Sequence, residues 1–158
     1  MAEPLTDQIL QKIGKARELY YRLVLMVGPA RSGKTSTLQK VSARVSAPLI
    51  NVNLELSRRM LDMTERQRAL QAARLLDEIV SETTGELVLL DNTEILFDVH
   101  LKQDPMRLLQ GLSRNKTVVA TWNGSIVDGQ VIYAVFNHPE YRRYTIRDFL
   151  VVGPEVTT

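Results

Sequence analysis

The sequence predicts an α/β protein built on a mainly parallel sheet. Three observations carry that prediction. Residues 23–27 and 87–90 are short, continuous apolar runs, the signature of strands buried on both faces. Stretches of ten or more residues with apolar positions at helical spacing separate the strand candidates. The 158-residue chain is 44% apolar and 24% charged, the balance of an ordinary globular domain.

That length predicts one domain over 1–158, with an N-terminal helix within 1–20 and a frayed tail at 153–158. The chain has no cysteine. A disulfide scaffold, a thiolate zinc site, an iron–sulfur cluster and a cysteine nucleophile are therefore excluded. His100 and His138 are its two histidines, too few for a multi-histidine metal site. Net charge is +2, which permits nucleic-acid contact without demanding it. No apolar run approaches the ~20 residues that span a bilayer. The first residues show no basic segment followed by an apolar one. The expectation is a cytoplasmic protein without membrane contact.

The elements follow in order. Leu5, Ile9, Ile13, Ala16 and Leu19-Tyr20 recur at helical spacing over 5–20, with Thr6 or Asp7 as cap. The strand at 23–27 runs into Gly28, and helical residues follow from Lys34 to about Val45. Residues 48–54 read as a second strand, with Ser57 starting a short basic helical turn. Thr64 and Gln67 fit a capping box. The helix it opens buries Ala69, Ala72, Ala73, Leu76, Ile79 and Val80, and Gly85 is its stop. A third strand ends at Asp91. Asp104-Pro105 starts a helix whose apolar face is Met106, Leu109 and Leu112. Strands are expected at 117–121, 131–136 and 146–152, with 137–144 between the last two.

Gly28-Pro29-Ala30-Arg31-Ser32-Gly33-Lys34-Thr35 matches G-x-x-x-x-G-K-[ST] at every fixed position. It sits between a buried strand and a helix, the context that gives the motif its meaning. The glycines free the backbone to turn its amides toward a phosphate. The following helix, from Gly33 through Ser36, adds its N-terminal amides and dipole. Lys34 reaches the β- and γ-phosphates, and the Thr35 hydroxyl meets Mg²⁺. Asp91 closes a buried strand at the end where open α/β sheets bind ligands, and takes the second metal role. With this motif the expected fold is a three-layer P-loop NTPase with a mainly parallel sheet.

Hydrolysis needs a water-activating acid. The position after Asp91 is Asn92, so the candidates are Glu94 and Glu55. Thr121 and Asn123 close the fourth strand, where a polar side chain contacts the γ-phosphate or the water; Asn123-Gly124 reads equally as a turn. Arg114, Arg142 and Arg143 are candidate arginine fingers for a neighbour's nucleotide. Tyr141-Arg-Arg-Tyr144 also suits single-stranded nucleic acid or a plain solvated surface. Arg58, Arg59, Arg66 and Arg68 form a second basic cluster, read as a solvated helix face. Trp122 and the methionines read as core.

The P-loop, Ile50-Asn-Val-Asn-Leu-Glu-Leu-Ser-Arg-Arg59, Leu87-Val-Leu-Leu-Asp-Asn92 and the stretch from Asp104 to Gly124 resemble the small P-loop protein of bacteriophage-exclusion (BREX) defence systems, the BrxF family of type-three loci. The likeness spans about residues 20–150, and 53–59 and 108–124 are its specific part. It implies a cytoplasmic prokaryotic protein with an AAA-like, ASCE-type core that lacks a full C-terminal lid, working with other phage-exclusion proteins. The expected activity is Mg²⁺-dependent ATP binding and hydrolysis by a switch or homo-oligomeric motor subunit, with DNA met through the basic clusters. Two alternatives stand beside it. One is a nucleotide-gated adaptor that does not hydrolyse. The other is a small-molecule kinase, against which Asn51 and Asn53 are neutral where an acceptor-binding acid is usual.

Overall fold

A computed structural model describes residues 4–134 and 138–153. Five parallel strands lie in the order β2-β3-β4-β1-β7: β1 (Leu23–Gly28), β2 (Leu49–Asn51), β3 (Leu87–Asp91), β4 (Thr117–Val127) and β7 (Leu150–Val152). In register, β1 pairs Leu23 with Val118 and β3 pairs Leu89 with Val119. Since β4 lies between them, the C-terminal ends of β1 and β3 flank it. β5 (Gln130–Tyr133) and β6 (Arg142–Thr145) continue from β4 as an antiparallel extension.

Helices cover both faces because the strands alternate. One face turns Val24, Met26, Leu89 and Val119 toward α1 (Leu5–Ala16) and α2 (Lys34–Val45), which bury Ile9, Ile13, Leu38 and Val41 there. The other face turns Leu25, Val88, Leu90 and Val118 toward α3 (Val52–Arg59), α4 (Glu65–Ser81) and α5 (Pro105–Leu112). Such burial on two faces is the requirement of a parallel sheet.

Several expectations hold closely. α2 has its expected bounds. The capping box at α4 forms both bonds: Thr64 Oγ1 accepts from the Gln67 amide at 3.2 Å, and Gln67 Oε1 from the Thr64 amide at 2.9 Å. Asp104 caps α5, accepting from the amides of Met106 and Arg107.

Others are corrected. α1 ends at Ala16 rather than 20, and Pro4 precedes it without a side-chain cap, so neither Thr6 nor Asp7 plays that part. The second strand is three residues long, not 48–54. Asn51 Oδ1 accepts from the Leu54 amide at 3.0 Å and starts α3 at Val52, well before Ser57; a strong cap overrides the strand preference of the apolar run. In α4, Leu75 is buried, Ala73 exposed and Ala69 only half-buried. That helix ends at Ser81, and Gly85 (φ +86°) serves the turn into β3 instead.

β4 extends six residues past Thr121, and Asn123-Gly124 is strand, not turn, with Gly124 paired to Tyr133. A Cβ on Gly124 would overlap the Ile132 carbonyl. The glycine is there for close backbone approach. The reversal falls at Asp128-Gly129, both at positive φ (49° and 75°), as a two-residue hairpin requires. The strand expected at 131–136 covers 130–133, and its residues 135–136 lie outside the described ones, as does residue 137. The segment expected between strands, 137–144, holds the start of β6, and the last strand covers only 150–152 of 146–152. Of the tail expected at 153–158, residues 154–158 lie outside the described ones.

Candidate functional site

Residues 28–35 carry the chain from β1 to α2 over the C-terminal edge of the sheet. Arg31 (φ 63°) and Gly33 (φ 90°) turn the loop through left-handed backbone. A Cβ on Gly28 would stand 2.9 Å from Ser32 Oγ, so the serine side chain would have to turn aside. Gly33 precedes α2 without a side-chain cap. The first amides of α2 are thus left for an external acceptor, and they carry the positive end of the helix dipole.

Lys34 bends back over the loop. Its ammonium donates to the carbonyls of Gly28 (3.0 Å) and Pro29 (2.5 Å) and to Ser32 Oγ (3.3 Å). It is only 7% exposed. Burial pushes its pKa below the usual 10.5, while the carboxylates of Glu94 and Asp91 pull it back.

The first turn of α2 meets the end of β3. Thr35 Oγ1 donates to Asp91 Oδ2 at 2.6 Å across 56 residues of sequence. The Asn92 amide donates to Asp91 Oδ1 at 2.9 Å. Asn92 itself has φ 53°, a conformation asparagine tolerates better than most residues. This kink takes the chain off the sheet into a 3-10 helix, Thr93–Phe97. Thr93 Oγ1 ties that helix to the Thr121 carbonyl at 2.6 Å. Glu94 is thereby turned back to the cleft, where Asn123 Nδ2 donates to its Oε1. Below, Phe97 stacks on Tyr133 (centroids 3.6 Å, 8°) and meets Trp122 edge-on. The β4–β5 extension therefore fixes the segment that presents Glu94.

The result is a cleft of about 580 Å³ lined by 30–36, Gln39, Asp91, Asn92, Glu94 and Asn123. Gln39 was not singled out from the sequence. It stands four residues after Thr35, so helical spacing was the available signal. Gly28 and Pro29 serve the cleft through their carbonyls on Lys34.

Other candidates lie elsewhere. Glu55 faces Arg58 (3.7 Å) and a separate hollow near Asn51 and Arg59; only Glu94 of the two acids lines the cleft. Arg114 sits at the opposite end of β1, its guanidinium 4.9 Å from the Tyr20 ring and its carbonyl bonded by Arg22. Arg142 donates to the Gln103 carbonyl, and Arg143 to Gln130 on the neighbouring strand. Tyr144 turns inward: its hydroxyl donates to Asp104 (2.8 Å) and its ring meets Trp122. It is therefore not a free stacking surface. The second basic cluster disperses, with Arg59 on Glu82 and Arg68 on the Met63 carbonyl. Trp122, Met26, Met60 and Met106 are buried, as expected of core residues, while Met63 is half-buried against the same core.

Among the described residues no group of three His, Cys, Asp or Glu side chains could hold a metal. One hydroxyl and one carboxylate, oxygen donors both, suit Mg²⁺ instead, which takes its other ligands from phosphates and water. No described helix is long and apolar enough to cross a membrane. No protein-family model matches the chain, and no curated protein is significantly similar to it.

Proposed function

We propose that this chain is a Mg²⁺-dependent ATPase with a three-layer P-loop fold of AAA-like type. The observation that carries the reading is the Thr35–Asp91 hydrogen bond at the mouth of the Gly28–Thr35 loop. Two residues assigned to one metal from opposite ends of a sequence interval meet in space. The strand order accords with this reading: β4 separates the loop strand β1 from the aspartate strand β3, so both strand ends open on one cleft.

In this reading the loop amides and α2 hold the triphosphate, and Lys34 leaves the loop carbonyls for the β- and γ-phosphate oxygens. Thr35 and Asp91 hold Mg²⁺, which supplies neutralising charge. Glu94, held by Asn123, takes a proton from water as the water oxygen bonds to the γ-phosphorus. The bond from that phosphorus to the bridging oxygen breaks, giving ADP and phosphate. Arg31 lines the same cleft and adds charge to the anion's side.

The likeness to the bacteriophage-exclusion family supplies the setting: a cytoplasmic subunit acting with other phage-exclusion proteins, with DNA met at surface arginines. Arg114 lies at the far end of the sheet, so it reaches a nucleotide only in a neighbouring copy of a homo-oligomer. A non-hydrolysing adaptor is the second reading, favoured by Asn92 standing directly after Asp91. Calorimetry with ATP and Mg²⁺, coupled to phosphate release and light scattering with and without DNA, tests both. Binding with turnover supports the ATPase. Binding without turnover in any assembly supports the adaptor. No binding of any nucleoside triphosphate overturns both.

A further inference from the structure

Thr121 is 1% exposed, and its Oγ1 has no hydrogen-bond partner among the described residues. Native proteins keep few such groups, because a buried hydroxyl that gives up water without a replacement is destabilising. Its surroundings say which partner it can take. On one side β1 sets Met26, apolar and buried, beside it. On the other side the register that pairs Leu89 with Val119 and Leu90 with Ala120 continues to Asp91 and Thr121. By alternation both side chains stand on the face of Leu89 and Val119. The Asp91 carboxylate accepts two hydrogen bonds, from Thr35 and Asn92, and has lone pairs for about two more.

We propose that Thr121 is a positioning residue for Asp91. Its hydroxyl donates to the Asp91 carboxylate in the nucleotide-loaded state, when the Thr35 hydroxyl turns from Asp91 to the metal. The inference rests on the reading of Thr35 and Asp91 as the Mg²⁺ pair. Loading would give a protein partner to a hydroxyl that has none among the described residues; such outer hydrogen bonds orient the groups that hold a metal.

Thr121→Val and Thr121→Ser in the full chain test this, by thermal melting without ligand and by calorimetry with a non-hydrolysable ATP analogue, with and without Mg²⁺. Valine fills the same space without a polar atom. Thr121→Val is expected to melt about 2–4 °C higher. It is expected to lose about tenfold in analogue affinity with Mg²⁺ and nothing without it. Thr121→Ser keeps the hydroxyl and should follow the wild type in the Mg²⁺ arm. A Thr121→Val chain that melts lower or fails to fold, or that binds the Mg²⁺-loaded analogue like the wild type, overturns the proposal. A wild type that gains no affinity from Mg²⁺ overturns the metal reading itself.

Discussion

At the scale of one residue, Lys34 is the group on which the proposed anion site turns. A nearly buried ammonium is held by two carbonyls and a hydroxyl, a partial substitute for water that an anion would improve on. Lys34→Ala is expected to weaken ATP binding about a hundredfold, the worth of charged hydrogen bonds, as calorimetry would read. The role proposed for Glu94 is different. Glu94→Gln keeps shape and hydrogen bonding but cannot accept a proton, so phosphate release should fall by about 10²–10⁴ with ATP affinity retained. Equal turnover in Glu94→Gln would remove Glu94 from the mechanism.

Elements are set by their ends. Thr64 closes the first turn of α4 with Gln67, and Thr64→Ala should cost about 1 kcal/mol, a fall of about 2–4 °C in Tm. Asp104 caps α5 and also accepts from the Tyr144 hydroxyl on β6, so it joins a helix to the sheet extension. Gly124 holds β4 against β5 where no side chain fits. Gly124→Ala should cost about 3 kcal/mol by forcing the strands apart. Because β5 braces Phe97 through Tyr133, its turnover should fall more than its ATP binding, which separates the extension's role from the loop's.

Across the whole molecule, alkaline pH reports on the buried face. Tyr133 is pushed up to about 12 by burial, with Glu140 and Glu94 adding to it. Tyr144 is raised by burial and then by its bond to Asp104. Between the ordinary 10 and the raised value the folded chain keeps protons that the unfolded chain releases. Stability is therefore independent of these groups below about pH 10 and declines as pH rises from there to about 12. Melting curves across that range should show the decline, and Tyr133→Phe should lessen it. A wild type whose Tm holds through pH 12 would contradict the burial of both phenols.

The sequence determined what depends on neighbours along the chain. The loop 28–35, the buried runs of β1 and β3, the capping box at Thr64 and the cap at Asp104 were legible because each is a local pattern with a local cause. Where two local signals compete, the sequence alone does not decide between them. Asn51 ended a strand early by capping α3, and Gly124 served a close approach in β4 while Asp128-Gly129 made the turn. Which acid faces the cleft was decided by the tertiary structure. The left-handed Asn92 and the anchored 3-10 helix return Glu94 to the loop, while α3 holds Glu55 beside Arg58. The meeting of Thr35 with Asp91 and the unpaired Thr121 hydroxyl were likewise settled by strand order and register. Those depend on how whole faces bury together, and no single stretch of residues encodes them.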